Sequence, residues 1–376
     1  MLDSGIERDN IHYNLSEDEG YNCPIMFIIS PREPGKTTSI TLDRVYADFR
    51  KKGLPAVALV NQAADCTEAF MQSFENTINE FKGYEIHTKY RKGGIKDGIC
   101  TIYERDTDKP FIHVLSLNAP LTRLKRINLG KVSCIWWDEA WVNVSVGERW
   151  PDSVATKWNE IYTTACRACY PDKLKFYASG NFYSRYHPLC TYLGIDCSRL
   201  AIGKKIVHRQ TKKVDLGNGK TIDVDYSCLV DCYNLKPELR EYILRHNPGY
   251  VFDDTYQKYF EGVAIADMGL PIVEKRPENY RLGYVFRVGQ SYLWIWKSSD
   301  MTFDPNSRFW LEVRKEPPGS RRDVFVVNLD DMMNNTMLAK SFSGTFEILR
   351  FFIGRGAVSF QSPEAFYMMQ QIYSSL

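Results

Sequence analysis

A glycine–lysine–threonine triplet ends a short loop that lies between an apolar run and a helical pattern. The segment from Ser30 to Thr38 follows the Walker A spacing of P-loop proteins, with Ser30 in the place of the usual first glycine. Backbone N–H groups around Gly35 can bind phosphates, because they adjoin a helix N-terminus. Lys36 can reach the β- and γ-phosphate oxygens, and the hydroxyl of Thr37 can bind Mg²⁺. The segment, Thr38 included, predicts a nucleotide site, although the triplet by itself is a weak signal.

Two adjacent acids follow a second apolar run further along the chain. Asp138, at the end of the predicted strand, can hold Mg²⁺, and Glu139 can polarise the attacking water. Either acid alone could be a solvated group at a strand end. Both halves of the pattern, however, fall at the carboxyl ends of predicted strands, where α/β sheets bind ligands. Together they predict an ATPase that uses ATP and Mg²⁺.

Two further polar positions could act on the γ-phosphate. Ser179, Gly180 and Asn181 follow another predicted strand, so Asn181 could sense the γ-phosphate; a simple turn is an equal alternative. Arg32 lies inside the P-loop, where an arginine can neutralise γ-phosphate charge from within the same subunit. A solvated or ion-paired loop arginine is the alternative for that residue.

These residues need a sheet that brings strand ends together, and the N-terminal part of the chain predicts one. Short apolar runs alternate with helical patterns, which favours an α/β fold with a parallel sheet flanked by helices. The nearly continuous apolar composition of the runs is typical of strands buried on both faces. The predicted strands are residues 24–29, 56–60, 111–117, 132–137 and 174–178. The predicted helices between them are residues 36–51, capped by Gly53, and residues 63–81.

The pattern changes after residue 203. A hairpin around Gly217-Asn218-Gly219 is followed by a helical pair that is broken at residues 247–249. The final part of the chain opens with strand-like runs and ends with helical ones, which predicts a separate α+β domain. The predicted domains are a P-loop domain (1–203), a small linker or lid (204–272) and the α+β domain (273–376).

Composition excludes several classes of protein. The net charge of the 376 residues is only +2, so any nucleic-acid contact must come from local patches. No apolar run approaches the ~20 residues that span a membrane, and the polar N-terminus is unlike a signal peptide, so we expect a cytoplasmic location. Ten cysteines are then expected to be free thiols. Cys166 and Cys169 have zinc-ligand spacing, but they fall in a predicted helix, which favours buried apolar thiols.

In the order and spacing of these residues, the sequence resembles the phage genome-packaging ATPases of the terminase large-subunit class. It is most similar to the small packaging ATPases of short-tailed phages with protein-primed genomes. The resemblance covers nearly the whole chain, from Tyr13 and Asn14 through the P-loop, Asp138-Glu139 and Ser179–Asn181 to residues 365–373. It implies an ASCE-type P-loop NTPase domain and an RNase H-like C-terminal domain.

The resemblance also implies a function and partners. The chain would be an ATP-driven translocase that pumps double-stranded DNA into a preformed capsid as a homomeric, pentameric ring. Its partners would be double-stranded DNA, the portal of the capsid and further copies of itself, with room for a structural RNA and no role for a membrane. It would work in the host cytoplasm on the procapsid and be absent from the mature virion.

The resemblance assigns roles to residues outside the P-loop. Arg167, on the helix before the third motif, matches the arginine finger that enters a neighbouring subunit. Lys125, in the basic stretch 123–126, matches a lysine that acts in the same way, and a solvated basic loop is the alternative for it.

The same family assigns DNA and adenine contacts. Lys89 matches the pore-facing residue that grips DNA, and Arg91 and Lys92 make its hairpin positive; such contacts would be independent of sequence and sensitive to salt. Tyr13 would stack on adenine, and Asn14 would bind the edge of the base.

The C-terminal domain departs from the terminase pattern. Its first two predicted strands, 283–288 and 291–296, contain no acid, and only Asp300, Asp304, Asp330 and Asp331 remain nearby. A two-metal nuclease needs a bridging carboxylate, so we predict a nuclease relic.

The function of the whole chain has two alternatives: a terminase with an active metal-dependent nuclease, and an NTP-binding P-loop protein that is not a motor.

Overall fold

The computed structural model describes residues 11–32, 34–90, 98–143, 148, 150–151, 153–169, 174–195, 197, 200–217, 219–250, 252, 264, 270–299, 308–319, 323–327 and 332–373. The chain divides into two compact units. The first comprises Met1–Ser184 and Leu200–Ile265, and the second comprises Arg185–Arg199 and Ala266–Leu376.

The first unit is built on a nine-stranded sheet whose order is β3-β4-β5-β2-β6-β7-β1-β9-β8. The run β5-β2-β6-β7-β1-β9 is parallel, whereas the strands outside it, β3-β4 and β8, pair antiparallel with their neighbours. The strands are β1 (Ile25–Ser30), β2 (Ala56–Val60), β3 (Thr88–Tyr90), β4 (Ile99–Glu104), β5 (Pro110–Ser116), β6 (Cys134–Trp137), β7 (Lys175–Asn181), β8 (Lys204–Asp215) and β9 (Thr221–Cys232). The predicted α/β class with a parallel sheet is confirmed.

Helices accompany this sheet, and two of them correspond to the predicted helices 36–51 and 63–81. The helix after the P-loop starts as Lys36–Ile40, passes through a π-helical stretch at Thr41–Tyr46 and continues as Ala47–Lys52. It ends at Gly53, whose φ of 66° is left-handed, as a terminating glycine allows. We call this helix α2. The other helices of the unit are α1 (Leu15–Glu19), α3 (Glu68–Asn79), α4 (Leu121–Leu124), α5 (Val154–Cys169) and α7 (Pro237–His246). None of the described helices is long and apolar enough to cross a membrane.

The central strands are buried along their whole length. Every residue of β1, β2 and β6 is buried, because helices cover both faces of a parallel sheet. This burial explains why the strands could be recognised as unbroken apolar runs.

All ten cysteines are free thiols, and Cys166 and Cys169 lie in α5.

The second unit contains a six-stranded sheet of order β14-β13-β10-β11-β12-β15. Strands β10, β11 and β12 are antiparallel, and β13 and β14 continue the sheet in parallel from β10. The second sheet, with its helices, forms the predicted α+β unit, and the RNase H-like assignment stays a prediction. The strands are β10 (Tyr280–Val288), β11 (Ser291–Ser298), β12 (Phe309–Arg314), β13 (Val324–Val326), β14 (Thr336–Leu338) and β15 (Val358–Phe360), and the helices are α6 (Pro188–Tyr192), α8 (Glu347–Gly354) and α9 (Pro363–Tyr373). Asp300, Asp304, Asp330 and Asp331 lie outside the described residues.

The division of the chain differs from the predicted domain boundaries. The predicted linker, 204–272, contributes β8 and β9 to the first unit, because β9 pairs with β1 from Ile25↔Cys228 to Ile29↔Cys232. Residues 185–199 belong to the second unit, where the Tyr186 ring stacks on Tyr367 with centroids 5.6 Å apart. Both differences come from long-range contacts, which a change in local sequence pattern does not reveal.

Candidate nucleotide site

The P-loop connects β1 to α2 at the carboxyl edge of the sheet. Gly35 precedes the helix with a left-handed φ of 83°, a conformation that glycine adopts without strain. The helix begins with the Ser39 N–H bonded to the Gly35 carbonyl at 2.9 Å. The first N–H groups of a helix have no partners within it, so this turn can receive phosphate oxygens. Thr38 lies in the same turn, next to Thr37.

Lys36 is buried beneath this loop. Its Nζ donates to Ser30 Oγ at 2.5 Å and lies 3.5 Å from the Pro31 carbonyl oxygen. Ser30, which replaces the usual glycine, therefore gives the ammonium group a side-chain acceptor. Burial lowers the pKa of Lys36 to about 8, against the opposing charges of Asp138 and Glu139. A desolvated ammonium interacts strongly with a phosphate that enters the loop.

Asp138 lies directly across from the first turn of α2. The hydroxyl of Thr37 is 3.2 Å from both carboxylate oxygens of Asp138. Ser179 donates to Asp138 Oδ1 at 2.8 Å, and the indole N–H of Trp136 donates to Ser179 at 2.9 Å. Burial raises the pKa of Asp138, and the hydrogen bond from Ser179 is the main opposing influence. One carboxylate beside one hydroxyl fits Mg²⁺, which binds to proteins through few oxygens together with phosphates.

Glu139 has an unusual backbone. Its φ of 52° is left-handed, which is uncommon for a residue other than glycine. Its carbonyl accepts from Asn61 Nδ2 at 3.0 Å, and the next residue, Ala140, donates its N–H to the Ser179 carbonyl at 2.9 Å. The Glu139 side chain is exposed, yet partial desolvation and the charge of Asp138 raise its pKa. A raised pKa suits a carboxylate that accepts a proton from water.

Asn61 was not identified from the sequence. It follows β2 directly, and its Oδ1 accepts from the indole N–H of Trp137 at 3.0 Å. The signal that could have found it is a polar residue immediately after a predicted buried strand, at the same sheet edge as Asp138.

Arg32 and Asn181 meet at a second residue that the sequence did not single out. Arg32 donates to the hydroxyl of Tyr183 from Nη2 at 2.7 Å and from Nε at 3.2 Å. Asn181 Nδ2 donates to the same oxygen at 3.3 Å. Arg32 also acts on Glu139, because its charge opposes the rise in the pKa of that carboxyl.

The predicted adenine contacts do not fit the positions of Tyr13 and Asn14. Tyr13 is only 2% exposed, its hydroxyl donates to Asp18 at 2.6 Å, and its ring meets Tyr233 edge-on. The ring has no open face for a base. Asn14 caps α1 by accepting from the Ser16 N–H at 3.1 Å. The segment instead supports the P-loop, since the Tyr13 N–H donates to the Pro34 carbonyl at 2.7 Å.

Three of the residues predicted to act on neighbours or on DNA, Arg167, Lys125 and Lys89, lie on the surface. Arg167 is exposed near the end of α5, and Lys125 follows α4 with its Nζ 3.3 Å from Glu160 of α5. Lys89 of β3 is paired with Asp108 at 3.1 Å. Arg91 and Lys92 lie outside the described residues. Their roles in a ring and on DNA remain predictions.

Comparison with known proteins identifies the fold. No protein-family model and no curated protein matches the chain. A structure of the Phi-28 gp11 DNA packaging motor aligns over 98% of both chains at 14% identity, with a TM-score of 0.55. The bacteriophage Phi-29 viral genome packaging motor assembly aligns over 97% of this chain and 99% of that one, at 14% identity and a TM-score of 0.49. A large terminase from a thermophilic bacteriophage covers 94% of this chain and 86% of its own, at 12% identity and a TM-score of 0.36. The first of these alignments shows that the chain is similar in fold to a phage DNA packaging motor protein over nearly its whole length.

Proposed function

We propose that the chain is an ATP-driven translocase that pumps double-stranded DNA into a preformed phage capsid. The single observation that supports ATP hydrolysis best is the meeting of Lys36, Thr37 and Asp138 at one sheet edge, with Glu139 beside them. The fold likeness to the Phi-28 gp11 motor supports the step from ATPase to DNA packaging.

Each residue of the site has a role in this proposal. Lys36 binds the β- and γ-phosphates, and Thr37 and Asp138 hold Mg²⁺, which would neutralise phosphate charge. Ser179 fixes the Asp138 carboxylate in the orientation that this requires. Glu139 accepts a proton from the attacking water, while Arg32 and Asn181 act at the γ-phosphate.

The motor would be a homomeric ring, pentameric as in the family that the sequence resembles. Arg167 and Lys125 of one subunit would then stabilise charge in the site of the next. Lys89, Arg91 and Lys92 would contact DNA phosphates, so binding would weaken as salt rises. The ring would sit on the portal of the procapsid in the host cytoplasm, where a structural RNA could join it.

The second unit would not cut DNA in this proposal. Strands β10 and β11 carry no acid, and a two-metal site needs a bridging carboxylate. Incubation of the whole protein with DNA and Mg²⁺ or Mn²⁺ should give no cleavage. Metal-dependent cleavage would instead indicate an active terminase nuclease.

The ATPase rate tests the central claim. It should rise when double-stranded DNA and matched empty capsids are added, and Lys36→Ala should abolish the stimulated rate. Lys51→Ala is the matched control, because it removes the same group from the exposed end of α2 and should leave the rate unchanged. Hydrolysis that responds to neither partner would favour an NTP-binding protein that is not a motor.

Subunit mixing tests the ring. Arg167→Ala and Glu139→Gln chains should each be inactive, because each lacks one half of a shared site. If Arg167 acts on a neighbour, mixing the two variants should restore part of the activity. Mixtures that stay inactive would contradict the assignment of Arg167.

A further inference from the structure

Tyr183 lies where the segment after β7 meets the P-loop. Its backbone is fixed there, because the N–H of the preceding Phe182 donates to the Ser30 carbonyl at 2.9 Å. Its own N–H donates to the Asn181 carbonyl at 2.7 Å, which folds the chain back immediately after the strand. The side chain is only 5% exposed. Tyr183 is thus a buried group, held by its backbone, beside the loop that receives the phosphates.

The hydroxyl of Tyr183 accepts hydrogen bonds from residues on two sides of the site. Arg32 reaches it from the P-loop with Nη2 at 2.7 Å and Nε at 3.2 Å, and Asn181 reaches it from the end of β7 at 3.3 Å. A phenol oxygen has acceptor capacity for such donors. The two groups with proposed roles at the γ-phosphate therefore share one acceptor.

Of the two donors, Arg32 depends more on its hydrogen bonds to Tyr183. Its side chain is exposed, and a long exposed side chain samples many rotamers unless something holds it. A group that stabilises transferring phosphoryl charge works best when it is already oriented. The fixed phenol supplies that orientation from a residue that need not touch the nucleotide.

We propose that Tyr183 is a positioning residue that holds Arg32 and Asn181 in a common arrangement, so that both act on the γ-phosphate together. The inference rests on the proposed ATPase function and adds a residue to it. It assigns the role to the hydroxyl group rather than to the aromatic ring.

Tyr183→Phe tests this assignment, since it removes only the hydroxyl. The kcat for ATP should fall about tenfold, with the KM changed less than about threefold, because the lost orientation matters in the transition state. Tyr46→Phe is the matched control: its hydroxyl also accepts a hydrogen bond, from the Glu85 N–H at 3.2 Å, and its loss should leave kcat unchanged.

A double-mutant cycle separates positioning from a general structural effect. In an Arg32→Ala background, Tyr183→Phe should cause little further loss, because its main effect passes through Arg32. Arg32→Lys should lose about as much kcat as Tyr183→Phe, since lysine keeps the charge without the paired guanidinium donors.

Two results would overturn the inference while the wild type hydrolyses ATP. The first is a Tyr183→Phe enzyme with wild-type kcat, and the second is a double variant in which the two losses multiply. Thermal unfolding of each variant shows whether any loss of rate comes from unfolding, and the Arg32→Lys arm does not alter the buried ring. A wild-type protein without ATPase activity would instead overturn the proposed function itself.

Discussion

At the scale of single residues, Glu139, the proposed water-activating carboxylate, has a left-handed backbone that neighbouring residues hold in place. A left-handed φ at a residue other than glycine costs about 1–3 kcal/mol, so surrounding contacts must compensate for it. Two neighbours contribute here: Asn61 binds the Glu139 carbonyl, and Ser179 binds the N–H of Ala140. The backbone at Glu139 is therefore held from the two strands that flank β6, since Asn61 follows β2 and Ser179 belongs to β7.

Asn61→Ala should lower kcat by about 10- to 100-fold, because a small displacement of a reacting group has a large effect on rate. The KM for ATP should change little, since Asn61 contacts neither Lys36 nor Thr37 in the described network. Steady-state ATPase kinetics would measure both constants. Gln72→Ala, on the exposed side of α3, serves as the control. A kcat within about twofold of wild type would show that Asn61 does not orient Glu139.

The predictability of the site follows from where each residue's partners lie. Lys36, Thr37, Asp138 and Glu139 could be found because adjacent residues in the sequence define their motifs. Asn61 reaches Glu139 only because β2 lies beside β6 in the sheet, and this adjacency is absent from the local pattern. The same holds for Tyr183, whose role depends on β7 lying beside β1, and for Tyr13, whose burial depends on the distant Tyr233.

At the scale of elements, a buried charge cluster joins α1 to the β8–β9 hairpin. Lys205 Nζ lies 2.6 Å from Asp18 and 3.2 Å from Asp231, and Tyr13 donates to the other oxygen of Asp18. One cation thus faces two buried carboxylates. Burial and the charge of Asp18 raise the pKa of Asp231 to about 7, although Lys205 opposes the rise. The folded protein therefore retains a proton here at mildly acidic pH.

This proton predicts a pH-dependent effect of Asp231→Asn. An aspartate in the unfolded chain has a pKa of about 3.9, so between that pH and about 7 the folded state binds a proton that the unfolded state has released. The stabilisation from Asp231 is full below about pH 4 and is lost as the pH rises through 7. Asparagine does not titrate. The free energy of unfolding of Asp231→Asn, measured relative to that of the wild type, should therefore rise by about 1–3 kcal/mol from about pH 5 to about pH 8.

Urea unfolding at several pH values would measure this gain. Asp223→Asn is the control, because Asp223 is exposed on the distal half of the same strand, β9. Its stability difference from the wild type should stay constant over the same range. A constant difference for Asp231→Asn as well would show that Asp231 is ionised in the folded protein throughout.

Close packing between β7 and the segment after β6 leads to another prediction. A Cβ on Gly180 would lie 2.8 Å from Cε3 and 3.0 Å from the backbone N of Trp141. Gly180→Ala should therefore destabilise the protein by about 1–3 kcal/mol, as overpacking does, and lower kcat by displacing Glu139. Gly319→Ala, where a Cβ meets open space, should do neither. Wild-type stability of Gly180→Ala, measured by denaturant unfolding, would contradict this account.

Strands and helix ends were predictable where burial or chain termination shows in the residue types of the segment itself. Strand β2 was expected at residues 56–60 and is found at Ala56–Val60, because a strand covered on both faces is apolar throughout. The end of α2 at Gly53 was likewise visible. The π-helical stretch Thr41–Tyr46 was not predicted; it differs from an α-helix in its i→i+5 hydrogen bonds, which a single sequence does not show. The hairpin of β8 and β9 was expected, but its place beside β1 was not.

At the scale of the whole molecule, the chain passes between its two units more than once. Arg185–Arg199 leaves the first unit after β7, and the chain returns at Leu200 to form β8 and β9. Within the second unit, Tyr186 stacks on Tyr367 and donates from its hydroxyl to Gln371, both residues of α9. The second unit is therefore discontinuous in sequence, and a fragment that begins after residue 265 lacks part of its packing.

A complementation experiment tests this organisation. The isolated fragment 266–376 should unfold at a lower temperature than the same fragment mixed with a peptide of residues 185–199. A peptide present at about 100 times its Kd adds about 2.7 kcal/mol to the free energy of unfolding of the fragment, so the Tm of the fragment should rise by at least about 5 °C. The same peptide with Tyr186→Ala should give a smaller rise, because it cannot stack on Tyr367. If the fragment is equally stable with and without the peptide, residues 185–199 are not needed for the fold of the second unit, and the boundary near residue 273 that the sequence suggested would describe the domain better.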